Sequence, residues 1–358
     1  MKAATVLASW CLVAVCPCRT EAQSAALCTP EDWAAIDGCL GIIRQCQMGD
    51  GMIRMKGDGD HVWTVPYVSD FAAMALLAVN DLRPNLPDVR RVEQWLLWYA
   101  ENQQADGTIC DQTGTVASYR SNGGRDSTDS YAATFLMAAS RYRRATQGVP
   151  PPKITQAVRL ALRAIIDVIQ PDGLTIAKPD YQIKYLMDNI EVYGGLTEVA
   201  AFFESVGEPH DAQKAREMAV RVAVGLRGFW SRTDGSFAVS LDRMGKYSAG
   251  LEKPYPHGLA QLFALAHVDP GRREVWRDVR KRFKPGDQGM PVERWLMAAN
   301  RCGSPQEQRE LRVAARREML QFTAKTVYVD RPALAILAIL DGNARFADLP
   351  VSRGVRGR

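Results

Sequence analysis

The sequence has little that would indicate nucleic acid, a metal ion or a membrane as its partner. Its 45 Lys and Arg residues nearly balance its 40 Asp and Glu residues, and the formal charge of +5 is scattered. So mild an excess does not favour nucleic-acid binding. No CxxC pair and no Cys/His spacing indicates a metal site, and no cofactor is predicted. Beyond the first segment, no apolar run approaches the roughly 20 residues of a membrane-spanning helix, so no stable membrane insertion is expected.

The first segment has the pattern of a secretory signal peptide. Lys2 precedes an apolar stretch at residues 6–16, which is followed by polar residues and then by small ones. We expect cleavage after Ala22, so that residues 1–22 are the signal peptide. The mature protein would then be exported to the periplasm or the extracellular space.

The remaining chain is predicted to form one folded domain, residues 23–345, and a flexible tail, residues 346–358. Lipid anchoring is not expected, because Val15 before Cys16 fits a lipoprotein signal poorly. Cleavage leaves five cysteines, which could form disulfides in an oxidising compartment. Their pairing is open on sequence grounds.

A turn motif recurs along the chain. Asp-Gly followed by a small or apolar pair begins at Asp50, Asp106, Asp172 and Asp234, and a degenerate fifth copy begins at Asp287. These positions are 56, 66, 62 and 53 residues apart. Asp tolerates turn geometry and Gly supplies a positive φ, so the motifs are interpreted as turns.

The segments that flank each turn predict helical hairpins. An amphipathic helix with one charged face precedes each motif, and a helix rich in Ala and Leu follows it, the third of these being placed at Val192–Ser205. The charged helices would form an outer layer and the apolar helices an inner one. The fold class predicted is therefore all-α, an (α/α)6 toroid with inner and outer helix rings, and an open helical array is the alternative. The six hairpins are placed at about 30–80, 86–143, 153–205, 210–268, 271–301 and 305–341.

Two segments match a known family. Asp126–Phe135 reads DSTDSYAATF, and Asp172–Tyr193 contains DGLTIAKPDY and YLMDNIEVY. With these the chain resembles the six-hairpin glycosidase-like proteins, whose toroid is shared by glycoside hydrolases and some polysaccharide lyases. The resemblance covers the mature chain in architecture, but its motifs are specific only in the second and third hairpins. It implies carbohydrate chemistry without fixing the substrate.

Four acids at the starts of inner helices are the catalytic candidates. Asp126 and Asp129 belong to the second hairpin, and Asp188 and Glu191 to the third. Members of each pair are three residues apart and can therefore lie on one helix face. Two carboxylates can protonate a glycosidic oxygen and activate water or attack directly.

Structural roles for these acids stay open on sequence grounds. Asp126 could cap its helix and Asp129 could interact with the helix dipole. Asp188 could form an ion pair with Lys178 or Lys184.

The loops before the inner helices also carry aromatic and charged residues that could bind a sugar. Aromatic rings cover the apolar faces of pyranoses, while polar groups bond to the hydroxyls. Pro179 disfavours a helical conformation at the preceding lysine and so indicates a loop. The substrate-binding candidates are Trp63, Tyr67, Lys178, Asp180, Tyr181, Tyr255, Glu293 and Arg331.

These observations favour an exported glycoside hydrolase that acts on a polysaccharide or oligosaccharide by carboxylate acid/base catalysis. A polysaccharide lyase that acts on a uronate-containing polymer is one alternative. A non-catalytic carbohydrate-binding protein that aids polysaccharide export is another. The oligomeric state is open.

Overall fold

The computed structural model describes residues 28–242 and 247–340, so the predicted signal peptide and tail lie outside the described residues. Within this part of the chain, outer and inner helices alternate. The outer helices are α1 (Pro30–Cys46), α3 (Leu86–Asn102), α5 (Pro152–Val168), α7 (Pro209–Leu226), α9 (Arg273–Arg282) and α11 (Pro305–Met319). The inner helices are α2 (Pro66–Leu82), α4 (Asp129–Thr146), α6 (Leu186–Ser205), α8 (Leu259–His267), α10 (Val292–Cys302) and α12 (Asp330–Leu340).

The inner helices form a closed ring. Each inner helix packs against the next one along the chain, and α12 packs back against α2. The two ends of the outer layer also meet, since α11 packs against α1. The six hairpins and the (α/α)6 toroid are therefore confirmed, and the open array is wrong.

Local sequence explains where the outer helices begin. Thr29 and Asp32 form a capping box at the start of α1, and Ser304 and Glu307 form one at the start of α11. Most outer helices also carry Pro in their first turn, where its missing N–H costs nothing. The inner helices are buried nearly all round; every residue from 332 to 340 of α12 is buried. Burial of this apolar surface is the main stabilising contribution.

The Asp-Gly motifs are turns, as predicted. In the second hairpin the Asp106 carboxylate accepts a hydrogen bond of 2.9 Å from the Thr108 N–H, and Gly107 has a φ of +85°. A Cβ at Gly107 would collide with the Leu160 carbonyl on α5, the outer helix of the next hairpin. The motif therefore sets both the chain reversal and the approach of neighbouring hairpins.

The loops that lead into the inner helices contain short antiparallel strands. Strands β1 (His61–Thr64), β2 (Gln112–Thr115) and β3 (Tyr119–Ser121) form one sheet in that order. A second sheet has the order β4 (Lys184–Tyr185), β7 (Ser240–Leu241) and β8 (Tyr247–Ser248), and β5 (Trp230–Ser231) pairs with β6 (Ser236–Phe237).

Two details differ from what the sequence led us to expect. The third inner helix begins at Leu186, six residues before the predicted Val192, so Asp188 and Glu191 both lie in its first turns. The five cysteines of the described part, which could have formed disulfides, are all unpaired thiols. Four of them are buried in the core, where they pack as small apolar side chains.

Candidate active site

A cavity opens where the inner helices α4, α6 and α8 begin. Its volume of about 470 Å³ falls in the range of small-molecule sites. Polar and aromatic side chains from the second, third and fourth hairpins meet in its wall. The wall consists of Asp126, Ser127, Ala177, Lys178, Tyr181, Tyr185, Met187, Asp188, Tyr255 and Pro256.

Asp188 is one of the two acids in this wall. It is the third residue of α6 and is partly exposed to the cavity. Burial raises the pKa of Asp188 well above its ordinary value, and the neighbouring carboxylates of Asp129 and Asp126 raise it further. A carboxyl group in such surroundings tends to keep its proton.

The two lysines that could have paired with Asp188 bond elsewhere. The Lys184 ammonium lies 2.5 Å from the Asp172 carboxylate. The Lys178 ammonium donates to the Arg125 carbonyl at 3.2 Å, and Lys178 lies in the cavity wall. The ion-pair interpretation of Asp188 is therefore wrong.

Asp129 lies beneath the cavity wall and is fully buried at the first position of α4. Its carboxylate accepts hydrogen bonds from the Thr175 hydroxyl at 2.6 Å and from the Ser130 N–H at 2.9 Å. Burial raises the pKa of Asp129 to about 7, although these hydrogen bonds lower it in part. Thr175 is itself held by Asn189, whose side-chain oxygen accepts from the Thr175 N–H at 2.8 Å.

Asp126 is exposed in the cavity wall. Helix α4 has Thr128 as its N-cap residue and no side-chain capping bond, so Asp126 does not cap it. The expectation that Asp126 and Asp129 share one helix face is wrong, because the helix begins only at Asp129. One acid therefore lies in the cavity and the other in the protein interior.

Glu191 is also buried behind the wall. The Tyr67 hydroxyl donates to its carboxylate at 2.7 Å. Burial raises the pKa of Glu191 well above its ordinary value and the nearby Asp188 adds to this, while the Tyr67 bond and the Arg294 guanidinium oppose it. The Tyr67 ring stacks on that of Tyr131 at 5.9 Å. Tyr67 thus holds a buried acid and is not part of the cavity wall.

Three tyrosines give the cavity its aromatic surface. Tyr181 is 46% exposed and Tyr255 58% exposed, and both line the wall. The hydroxyls of Tyr181 and Tyr185 lie 3.0 Å apart. Tyr185 was not singled out from the sequence, although its place directly before α6 could have identified it.

Several solved structures with a similar fold are glycoside hydrolases. A mannosylglycerate hydrolase from Thermus thermophilus, in complex with glucose, aligns over 86% of this chain and 99% of its own, with a TM-score of 0.59 and 14% identity. An alpha-amylase from Clostridium perfringens aligns over 86% of this chain and 97% of its own, with a TM-score of 0.54 and 9% identity. The chain has the six-hairpin glycosidase fold.

A rhamnosidase from Klebsiella oxytoca with rhamnose bound aligns over 87% of this chain with a TM-score of 0.58 and 12% identity, and the chain spans 63% of that protein. No family model and no curated protein sequence matches the chain. The resemblance seen in the sequence is thus confirmed at the level of the fold. At such low sequence identities the shared toroid fold does not establish an activity for this chain.

Four more of the predicted sugar-binding residues also lie outside the cavity wall. Trp63 is 36% exposed and meets the ring of Tyr328 edge-to-face at 5.6 Å. Glu293 is fully buried and forms an ion pair with Arg331 at 2.6 Å. Arg331 also forms an ion pair with Glu318 at 2.7 Å, so its guanidinium lies between two carboxylates, and buried Glu293 has the partner that a buried carboxylate needs. Asp180 is exposed in the loop of the third hairpin, beside the cavity.

Over residues 28–242 and 247–340, no group of three or more His, Cys, Asp or Glu side chains could hold a metal ion. Among the described helices, none is long and apolar enough to cross a bilayer.

Proposed function

We propose that the chain is an exported glycoside hydrolase that cleaves a polysaccharide or oligosaccharide in the cavity at the mouth of the toroid. The observation that carries the proposal is the presence of Asp126 and Asp188 in the wall of one tyrosine-lined cavity. A carboxylate pair and aromatic surfaces are what hydrolysis of a glycosidic bond requires. The sugar ligands of the mannosylglycerate hydrolase and of the rhamnosidase support the same class of substrate.

Different surroundings separate the roles of the two carboxyl groups. Asp188, whose pKa is raised well above its ordinary value, keeps its proton and donates it to the glycosidic oxygen as the bond breaks. Asp126 acts on the opposite side of the anomeric carbon, either as base for the attacking water or as nucleophile. The carboxylates of buried Asp129 and of Asp126 act on Asp188 through their charge and so help to keep it protonated.

The substrate would be held by the aromatic and basic residues of the same wall. Tyr181, Tyr185 and Tyr255 would pack against pyranose rings, and the Lys178 ammonium would donate to hydroxyl oxygens. Asp180, beside this wall, would contact a neighbouring sugar unit.

Substitution of the two cavity acids tests the proposal. Asp188→Asn and Asp126→Asn should each lower the release of reducing ends by about 10²-fold or more. Asp278→Asn is the control, since its carboxylate is exposed on the outer helix α9, and should retain most of the activity. Full activity in both cavity variants would show that the chemistry lies elsewhere.

A polysaccharide lyase is the second candidate, because Lys178 and the tyrosine hydroxyls share the wall and could neutralise a uronate and remove its proton. A lyase leaves an unsaturated sugar that absorbs in the ultraviolet. Reducing ends that accumulate without this absorbance would exclude the lyase. A saccharide that raises the melting temperature but is not cleaved would favour a non-catalytic binding protein.

Export is part of the proposal and is tested separately. The chain produced with residues 1–22 in a bacterial host should be recovered outside the cytoplasm. Its mass should correspond to cleavage after Ala22. Full-length protein retained in the cytoplasm would contradict this.

A further inference from the structure

The sheet of the first two hairpins presents an ordered row of side chains to solvent. In the antiparallel register, Trp63 of β1 is opposite Thr113 of β2, and Thr113 is opposite Arg120 of β3. Residues in register share one face of a sheet. An indole, a hydroxyl and a guanidinium therefore lie side by side across three strands, a distance of roughly 10 Å.

The alternation of burial shows which face this is. The neighbouring row, Val62, Gly114 and Tyr119, belongs to the opposite face. Val62 is buried, and the Tyr119 hydroxyl accepts a hydrogen bond from the Trp98 indole at 3.0 Å. The row of Trp63 and Arg120 consequently faces away from the core, and both side chains are exposed.

Trp63 is braced on this face. Its ring meets that of Tyr328 edge-to-face, and the Lys56 ammonium lies 5.0 Å from the centre of the Tyr328 ring. Trp63 is 36% exposed and Tyr328 43% exposed, so both rings offer aromatic surface to a ligand. Lys56 adds a positive charge on the same side of the sheet.

A short segment connects the sheet to the proposed cleavage cavity. Strand β1 ends two residues before α2, and β3 is followed by residues 122–128, which carry Asp126 into the cavity wall. This connection is fixed by a backbone bond of 2.8 Å from the Asp111 N–H to the Gly124 carbonyl. Arg120 and Asp126 are six positions apart, so their Cα atoms lie within about 22 Å of each other, a distance that a saccharide chain can span.

We propose that the row Trp63–Thr113–Arg120 binds a carboxylate-bearing sugar unit of the substrate outside the cavity. The indole would cover a pyranose face, the hydroxyl would bond to the ring substituents, and the guanidinium would pair with the carboxylate. The inference rests on the proposed hydrolysis and deepens it. The substrate is an acidic polysaccharide, and its uronate unit is recognised outside the cavity, away from the glycosidic bond that is cleaved.

Binding measured without turnover tests this proposal. Titration calorimetry would use Asp188→Asn with hexamers of glucuronate, galacturonate and mannuronate, each matched with its carboxyl-reduced neutral form. We expect at least one acidic hexamer to bind tenfold or more tightly than its neutral form. Arg120→Ala should abolish that difference and Trp63→Ala should weaken both forms. Arg90→Ala, an exposed arginine on the outer helix α3, should change neither.

Two results would overturn the inference. One is equal binding of every acidic hexamer and its neutral form, and the other is the absence of binding by all of them. Failure of the proposed hydrolysis would look different, because the acidic preference and its loss in Arg120→Ala would persist while the wild-type protein released no reducing ends.

Discussion

Asp129→Asn should change how the stability of the protein depends on pH. Burial raises the pKa of Asp129 from an ordinary value of 3.8 to about 7. Between these values the folded protein holds a proton that the unfolded chain has released, so the free energy of unfolding falls as the pH rises. At 1.36 kcal/mol for each pKa unit, the loss amounts to about 4 kcal/mol by pH 8. Asn is neutral throughout and avoids this loss.

The assay is urea unfolding of the wild type and of Asp129→Asn at several pH values from 4 to 8. Asn accepts fewer hydrogen bonds than a carboxylate, so the variant loses part of the contact with Thr175 at every pH. That cost does not depend on pH. The comparison therefore follows how the difference in free energy of unfolding between the variant and the wild type changes with pH. This difference should shift in favour of the variant by about 4 kcal/mol between pH 4 and pH 8.

A second carboxylate provides a control of opposite sign. Although partial burial raises the pKa of Asp106, its hydrogen bonds from Thr108 outweigh burial and lower the pKa. Asp106→Asn should therefore lose stability relative to the wild type as the pH rises toward about 4, and the difference in free energy of unfolding between the two should stay constant from pH 4 to pH 8. If the curves of the wild type and of Asp129→Asn stay equally far apart from pH 4 to pH 8, Asp129 ionises without penalty and the reasoning from burial is refuted.

Two further predictions concern glycines. Gly107→Ala should lower the free energy of unfolding by about 2 kcal/mol or more, because its Cβ would meet the Leu160 carbonyl at a φ of +85°; urea unfolding measures this, and wild-type stability would contradict it. Gly289→Ala places a Cβ 2.5 Å from the Tyr255 Cβ and should raise KM about tenfold, because it displaces that ring. Gly235→Ala is the control: its φ is also positive, +61°, but the space around it is open, so KM should not change. Equal KM values in the two variants would show that the position of Tyr255 does not matter for the substrate.

Much of the fold could be predicted from the sequence because its signals are local. A turn of the Asp106-Gly107 type depends on the conformations of a few neighbouring residues, and recurs wherever the chain must reverse. The spacing of the turns and the apolar stripes between them then defined the hairpins. The ring closes where α12 packs against α2, at the two ends of the domain. In the sequence, only the number of hairpins indicated this closure.

The site could be predicted only in part, because its residues come together through tertiary packing. Their spacing alone does not distinguish Asp126 from Asp129. In the structure α4 begins at Asp129, so that Asp126 lies in the cavity wall and Asp129 inside the protein. Glu293 and Arg331 are 38 residues apart, and nothing near either one in the sequence indicates that they neutralise each other. Residue types at the helix starts could be read from the sequence. Which of them faces the cavity was decided by the tertiary structure, since burial and charge partners depend on the packing of separate hairpins.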